Sequence, residues 1–255
     1  MWLYLLQLGI LPDLGNTPIP GYLIQTDDGK NILIDTGYPH SLRGRQVAAA
    51  DAMVAAAPDD QEAAFTAMIV RAIRDDPADA ITNRLAEIGL APGDIDILIC
   101  THFDWDHAGD HDLFPDAEFV VQRRHYDAAR EHPRFLHFAA PWKSPALHYR
   151  FVDGDTTLLP GIELIEAGGH VPALQAVLVR LPETGPVLLA TDAIAGAGQL
   201  NPAAAAGPAD MDSEAKRASV RKLLDLADRE GAKLIVFGHS GEQWATLRHS
   251  PEYYE

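Results

Sequence analysis

Residues His102, Asp104, Asp106 and His107 put two imidazoles and two carboxylates within six positions, inside the run Thr-His-Phe-Asp-Trp-Asp-His-Ala-Gly at 101–109. Imidazole and carboxylate together suit divalent ions of borderline hardness, such as zinc, iron(II), cobalt and manganese. Without a cation, carboxylates this close would repel. A plainer role for the same residues is a strand-to-helix turn, with an aspartate capping a helix that begins near His107. Six residues cannot enclose an ion, so the metal reading requires distant stretches of chain to bring further ligands to the same place.

Several strands are placed to do so. The apolar run from Asp96 to Cys100 reads as a buried strand that carries the cluster to its C-terminal end, where open α/β sheets bind ligands. The pattern of apolar strand followed by Asp or His recurs three times. Ile162 to Glu166 leads into Ala-Gly-Gly-His170, Val187 to Thr191 into Asp192, and Lys233 to Phe237 into Gly-His239-Ser. The glycines before His170 allow close backbone approach. His102, Asp104, Asp106, His107, His170, Asp192 and His239 make seven ligands, a number that suits two ions sharing one carboxylate, a standard device for activating water. Near the N-terminus, Gly21 to Thr26 and Asn31 to Gly37 flank an Asp-Gly turn and read as a β-hairpin. Its second strand ends in Asp35-Thr36-Gly37, either a plain turn or a support for the ligands from behind.

Elsewhere the expectations are for scaffold. Residues 43–89 read as helical, broken at Pro58 and Pro77, with Phe65, Met68, Ile69 and Ile73 forming one face for core packing or a dimer contact. Ala78 to Leu90 gives another helix closed by Gly89. Ala117 to Val121 is a strand, Gln122 to Glu131 a helix, and the proline-punctuated segment 133–149 a loop that could overhang the site. Tyr149 to Val152 and Leu174 to Leu181 are strands, and Ser213 to Arg229 a helix. His111, His125, His132, His137 and His148 have no nearby ligand partner in sequence and are expected to be surface or structural.

The composition is globular: 255 residues, 47% hydrophobic, with a formal charge of −17. That charge argues against sequence-independent binding to nucleic acid or an anionic membrane, which both need a basic surface. The lone cysteine, Cys100, rules out an internal disulfide and thiolate-rich zinc sites, fits a reducing compartment, and lies in an apolar strand where packing is its natural role. The apolar run Trp2 to Ile10 has no basic leader or small-residue cleavage site and reads as a first strand rather than a signal peptide. No stretch reaches the roughly 18 apolar residues of a membrane span. A soluble, cytoplasmic protein is expected.

The order of Asp-Thr-Gly, Thr-His-x-x-x-Asp-His-Ala-Gly, Gly-Gly-His, Thr-Asp and Gly-His-Ser resembles the metallo-β-lactamase superfamily over essentially the whole chain. Asn31-Ile-Leu-Ile-Asp-Thr-Gly-Tyr38, Phe119-Val-Val-Gln-Arg-Arg-His-Tyr126 and Ser250-Pro-Glu-Tyr-Tyr254 resemble its N-acyl homoserine lactone lactonase branch. The resemblance implies one αββα four-layer α/β sandwich domain over residues 1–255, with two divalent ions: zinc first, with manganese, iron or cobalt as alternatives. His102, Asp104 and His170 would hold one ion, Asp106, His107 and His239 the other, with Asp192 between them. A metal-bridging hydroxide would open a lactone, Asp106 would pass a proton to the leaving alkoxide, and Trp105 and Tyr38 would face the substrate. A homodimer is also a family expectation. The same site would serve for another ester, thioester or lactam. Iron-binding redox relatives also carry a carboxylate in this motif, usually with a flavin domain, for which this chain shows no phosphate loop. Two departures stand out. The family's usual second histidine is Asp104 here, adding negative charge and favouring harder ions. The tyrosine that lactonases commonly carry three residues after the bridging acid is Ala195.

Overall fold

Alternation along the central strands decides the layering. In the computed structural model, which describes residues 1–255 except the side chains of His137 and Ala139, Ile32, Ile34, Ile97 and Ile99 pack into one apolar cluster and Leu33 and Leu98 into another. A period of two with both faces apolar means that each sheet is covered on both sides.

The first sheet has β1 (Trp2–Leu11), β2 (Thr17–Gln25) and β3 (Asn31–Ile34), then, after α1 (Gln46–Ala56), α2 (Gln61–Ala72) and α3 (Ile81–Glu87), β4 (Ile97–Ile99) and β5 (Glu118–Gln122). Following α4 (Arg123–Ala129), β6 (His148–Val152) completes it in the order β1-β2-β3-β4-β5-β6, with β3 to β6 parallel. The second sheet contains β7 (Thr156–Leu159), β8 (Ile162–Glu166), β9 (Gln175–Leu181) and β10 (Gly185–Thr191). After α5 (Ser213–Glu230), β11 (Leu234–Phe237) adds in parallel beside β10, and the short α6 (Gly241–Trp244) follows. Val177, Val179, Val187 and Leu189 meet the isoleucines of the first sheet, while Leu178, Leu188 and Ala190 share a cluster with Val220 and Leu223 of α5. The layers are therefore helix, sheet, sheet, helix, the expected αββα sandwich. No helix among the described residues is long and apolar enough to cross a membrane.

Three local expectations change. On α2 the buried face is Ala63, Thr66, Ala67 and Val70, whereas Phe65 and Met68 are 50% and 48% exposed. Small side chains, spaced i, i+3, i+4, i+7, let α2 pack closely, and the bulky pair points outward. The 133–149 segment contains 3-10 turns at 133–139 and 141–143 rather than open loop. The strand β7 carries no sequence reading, and β2 starts four residues before Gly21, at Thr17. Prolines 18 and 20 fit there because β3 pairs only with Tyr22 to Gln25, so the missing N–H groups lie along an open edge.

Candidate metal centre

Five strand ends converge on one edge. Asp35 follows β3, His102 follows β4, His170 follows β8, Asp192 follows β10 and His239 follows β11. The 102–107 cluster lies in a turn rather than at the start of a helix, with His107 and Ala108 both donating their N–H to the Asp104 carbonyl. That turn is pressed against the β3 loop: a Cβ on Gly109 would lie 2.2 Å from the Pro39 nitrogen. Gly169, at φ +130°, is held as tightly, since a Cβ there would meet the Lys216 nitrogen at 2.2 Å. Thr191 reaches φ +48°, a rare conformation for a β-branched residue, and this turn aims Asp192 into the cluster.

All seven predicted ligands meet. His102 Nε2 and His170 Nε2 lie 3.2 and 3.1 Å from Asp104 Oδ2. His107 Nε2 and His239 Nε2 lie 3.9 and 3.8 Å from Asp106 Oδ2. Asp192 is split between the groups, with Oδ2 3.3 Å from His170 and Oδ1 3.4 and 3.1 Å from His107 and His239. Two ligands of a tetrahedral zinc at its usual bond lengths sit about 3.4 Å apart, so these separations suit ligands of a shared ion.

Orientation supports the same conclusion. Each imidazole spends Nδ1 on the protein: His102 on Thr101 Oγ1 (2.9 Å), His107 on Asp35 Oδ2 (2.8 Å), His170 on Asp210 Oδ1 (3.0 Å) and His239 on the Pro18 carbonyl (2.8 Å). That fixes the tautomer and leaves every Nε2 facing the centre, as metal-binding histidines require. His102 Nε2, His107 Nε2 and Asp192 Oδ1 are buried without a hydrogen-bond partner, and a cation would satisfy all three. The donor set fits divalent ions.

Charge is distributed unevenly. Burial, reinforced by His107, pushes His102 down to about 3. Burial also raises Asp106, against His107 and His239. Asp104 goes the other way: burial opposes ionisation, but the Arg134 guanidinium holds the carboxyl well below its ordinary range. Arg134 Nε and Nη2 donate to Asp104 Oδ1 and Oδ2 at 2.7 and 2.6 Å, and Nη2 also lies 3.0 Å from His170 Nε2. Although burial works against it, Asp104 and Asp210 draw His170 up to about 9. A guanidinium can only donate, however, so the 3.0 Å contact requires a bare Nε2 and a neutral ring.

Three supporting residues carried no sequence signal: Arg134, Asp210 and Lys216. Lys216 is 1% exposed, donates to the Asp192 carbonyl and lies 3.3 Å from Asp210 Oδ1. Asp35, flagged by its tripeptide, is the strongest support, accepting from Thr101 N (2.8 Å) and Thr101 Oγ1 (2.7 Å) as well as His107. Of the two residues expected at the substrate, Trp105 is half-buried in a cleft with Arg134, Phe135, Pro141 and Trp142, its ring edge-on to Phe138. Tyr38 is fully buried against Gly9, its hydroxyl accepting from Arg43, so its visible role is packing. Ala195 gives its carbonyl to His239 N and its N–H to Gln199. His125 is structural, accepting from Phe103 N and bonding the Pro172 carbonyl. His111 is buried, and His137 lies outside the described side chains. Cys100 packs in the core, as expected.

Similarity to known proteins agrees with this geometry. Residues 14–239 match the model of the metallo-beta-lactamase superfamily. An N-acyl homoserine lactonase from a Bacillus species is 30% identical over 245 residues, spanning 94% of this chain and 88% of that protein. The N-acyl homoserine lactonase AiiA of Bacillus thuringiensis subsp. kurstaki is 30% identical over 241 residues, 93% and 87% of the two chains. A solved N-acyl homoserine lactone hydrolase with N-hexanoyl-L-homoserine at its catalytic metal centre superposes with a TM-score of 0.83 at 27% identity, covering 99% of this chain and 98% of its own. By its matched sequence and its fold, the chain belongs to the metallo-β-lactamase superfamily.

Proposed function

We propose that the chain is a metal-dependent hydrolase that opens the ring of an N-acyl homoserine lactone. The observation that carries this reading is the split of Asp192, one carboxylate oxygen toward His170 and the other toward His107 and His239. It supports two ion positions. His102, Asp104 and His170 would make the first, Asp106, His107 and His239 the second, and Asp192 would serve both. Bound divalent ions supply Lewis acidity toward a carbonyl oxygen and make water a stronger acid at neutral pH.

The chain's own residues do the rest. Asp35, Thr101, Asp210 and the Pro18 carbonyl hold four imidazoles in the tautomer that leaves Nε2 unprotonated. Asp106, raised by burial, is suited to take a proton and return it. Overall, the elements of water add across the lactone C–O bond: hydroxyl to the carbonyl carbon, the proton through Asp106 to the ring oxygen, which leaves as an alcohol. Trp105, half-buried and backed by the buried rings of Phe135 and Trp142, offers apolar surface to an acyl chain.

The same reading takes the ions as zinc first, with manganese, iron or cobalt as alternatives, residues 1–255 as one hydrolase domain, and a cytoplasmic setting from the single buried cysteine. It also makes the outward Val47, Val54, Phe65 and Met68 of α1 and α2 the face for a second copy. Ala195, which supplies no hydroxyl, favours one alternative: a different ester, thioester or lactam in the same site.

The test is a hydrolysis panel on metal-stripped protein reloaded separately with Zn, Mn, Co or Fe(II). The substrates are short- and long-chain homoserine lactones, γ-lactones without the amide, and simple esters. Homoserine lactones should open fastest, and stripped protein should be inert. Preference for simple esters would refute the substrate; activity that survives stripping would refute the metal.

A further inference from the structure

Arg134 is a third cation in a site built for two. It reaches the cluster from the 133–139 turn, 30 residues beyond Asp104, and is anchored there by Nη1 donating to the Ala209 carbonyl at 2.7 Å. Its Nη2 sits 2.6 Å from Asp104 Oδ2 and 3.0 Å from His170 Nε2, two of the three atoms that define the first ion position. The Asp104 carboxylate has lone pairs to share between a guanidinium and an ion. His170 Nε2 has one. With Nδ1 committed to Asp210, that lone pair serves Arg134 or a metal, never both.

Among the described residues the second position has no such rival. Asp106, His107 and His239 face one another with no lysine or arginine among their ion-pair partners, and His107 Nε2 and Asp192 Oδ1 are left without a hydrogen bond. We infer that Arg134 is an internal competitor for the first ion position, so that the two positions have unequal affinity. The Asp106/His107/His239 position fills first, and the His102/Asp104/His170 position fills only as Arg134 gives up His170. Arg134 is here a positioning residue. It pairs with the carboxylate that stands where a neutral histidine is usual, and it sets how readily that half of the centre loads. This rests on the cluster being a metal centre.

The test reads zinc itself, not turnover. Metal-stripped wild-type protein is titrated with Zn against a chromophoric chelator, and ion content is counted after dialysis. Wild type should show one tight and one weaker equivalent. Arg134→Gln, which removes the charge and keeps a hydrogen-bonding side chain, should tighten the weaker equivalent by roughly tenfold to a hundredfold, the usual size of outer-sphere effects on metal affinity. Arg134→Lys, which keeps the charge, should stay close to wild type. The tight equivalent reports in every variant that the protein is folded. Unchanged or weakened second binding in Arg134→Gln, or two equal equivalents in wild type, overturns the competition. Wild-type protein that takes up no zinc overturns instead the metal-centre reading beneath it.

Discussion

Replacing Asp35 by Asn should disable both ion positions through two protons rather than through packing. Asp35 is 1% exposed and its Oδ2 accepts two hydrogens, from His107 Nδ1 at 2.8 Å and Thr101 Oγ1 at 2.7 Å, while Oδ1 accepts from Thr101 N. Asparagine can keep the last of these, but it puts an NH2 where Oδ2 was. Donor would then face donor. The relief available to His107 is to move its proton to Nε2. The relief available to Thr101 is to turn its hydroxyl hydrogen toward His102 Nδ1, 2.9 Å away, which drives the His102 proton to Nε2 as well. Both nitrogens are ones now left without a hydrogen-bond partner, and both would lose the lone pair that a cation needs.

Two hydrogen bonds to a charged acceptor contribute about 1.5–3 kcal/mol each. With partial recovery from the reversed contacts, a net loss of about 2–3 kcal/mol is expected. For a chain of this size that lowers Tm by roughly 4–12 °C in metal-stripped protein. Zinc affinity at each position should fall by about tenfold to a hundredfold. Titration against a competing chelator, thermal melts, and nitrogen-15 spectra of the histidine rings measure the three effects. A lower Tm with unchanged zinc affinity and Nδ1-protonated rings would refute the tautomer mechanism, leaving Asp35 as a packing residue.

Asp106→Asn keeps an oxygen ligand but removes the proton carrier, so lactone turnover should fall by about 10²–10⁴ while at least one ion stays bound; near-normal turnover with bound metal would remove Asp106 from its role. His111 is fully buried between Phe103 and Phe119 with neither ring nitrogen hydrogen-bonded, and burial, helped by His107, lowers it to about 3. Its folded-state value is depressed, so its contribution is complete above the unfolded value near 6.5 and is lost as pH falls toward 3. His111→Leu should therefore be more stable by about 1–3 kcal/mol at pH 7, with the gap widening by about 2 kcal/mol at pH 5; urea unfolding at the two pH values checks this, and a constant gap refutes it.

What could be seen in the sequence depended on whether a residue's role is fixed by its own strand. The ligands sit at strand ends, and a strand announces itself through its apolar run. His170, Asp192 and His239 were therefore legible one at a time, and the fold then brought them together. Asp35 was legible for the same reason. On α2 and just beyond it, Ile69 and Ile73 pack against the core, but core packing fails for Phe65 and Met68, because close packing there selects Ala63, Ala67 and Thr66, whose small size leaves little mark in a hydrophobic pattern. Arg134, Asp210 and Lys216 were invisible because each acts on a partner 24 to 40 residues away: Arg134 and Asp210 from segments with no period to read, Lys216 from a helix whose period shows its face but not its partner.

Asp104 shows why that blind spot matters to the chemistry. Taken as a residue, it adds a negative charge where a neutral ring is usual, and the sequence alone leads from there to a harder ion. Taken with Arg134, whose guanidinium grips both of its oxygens, it belongs to a pair with no net charge. The preference for a harder ion therefore weakens, and the consequence moves from which metal is bound to how easily it enters. The charge at that position is a property of two segments of chain. A substitution at either one is expected to act on the affinity of the first ion position before it acts on the substrate.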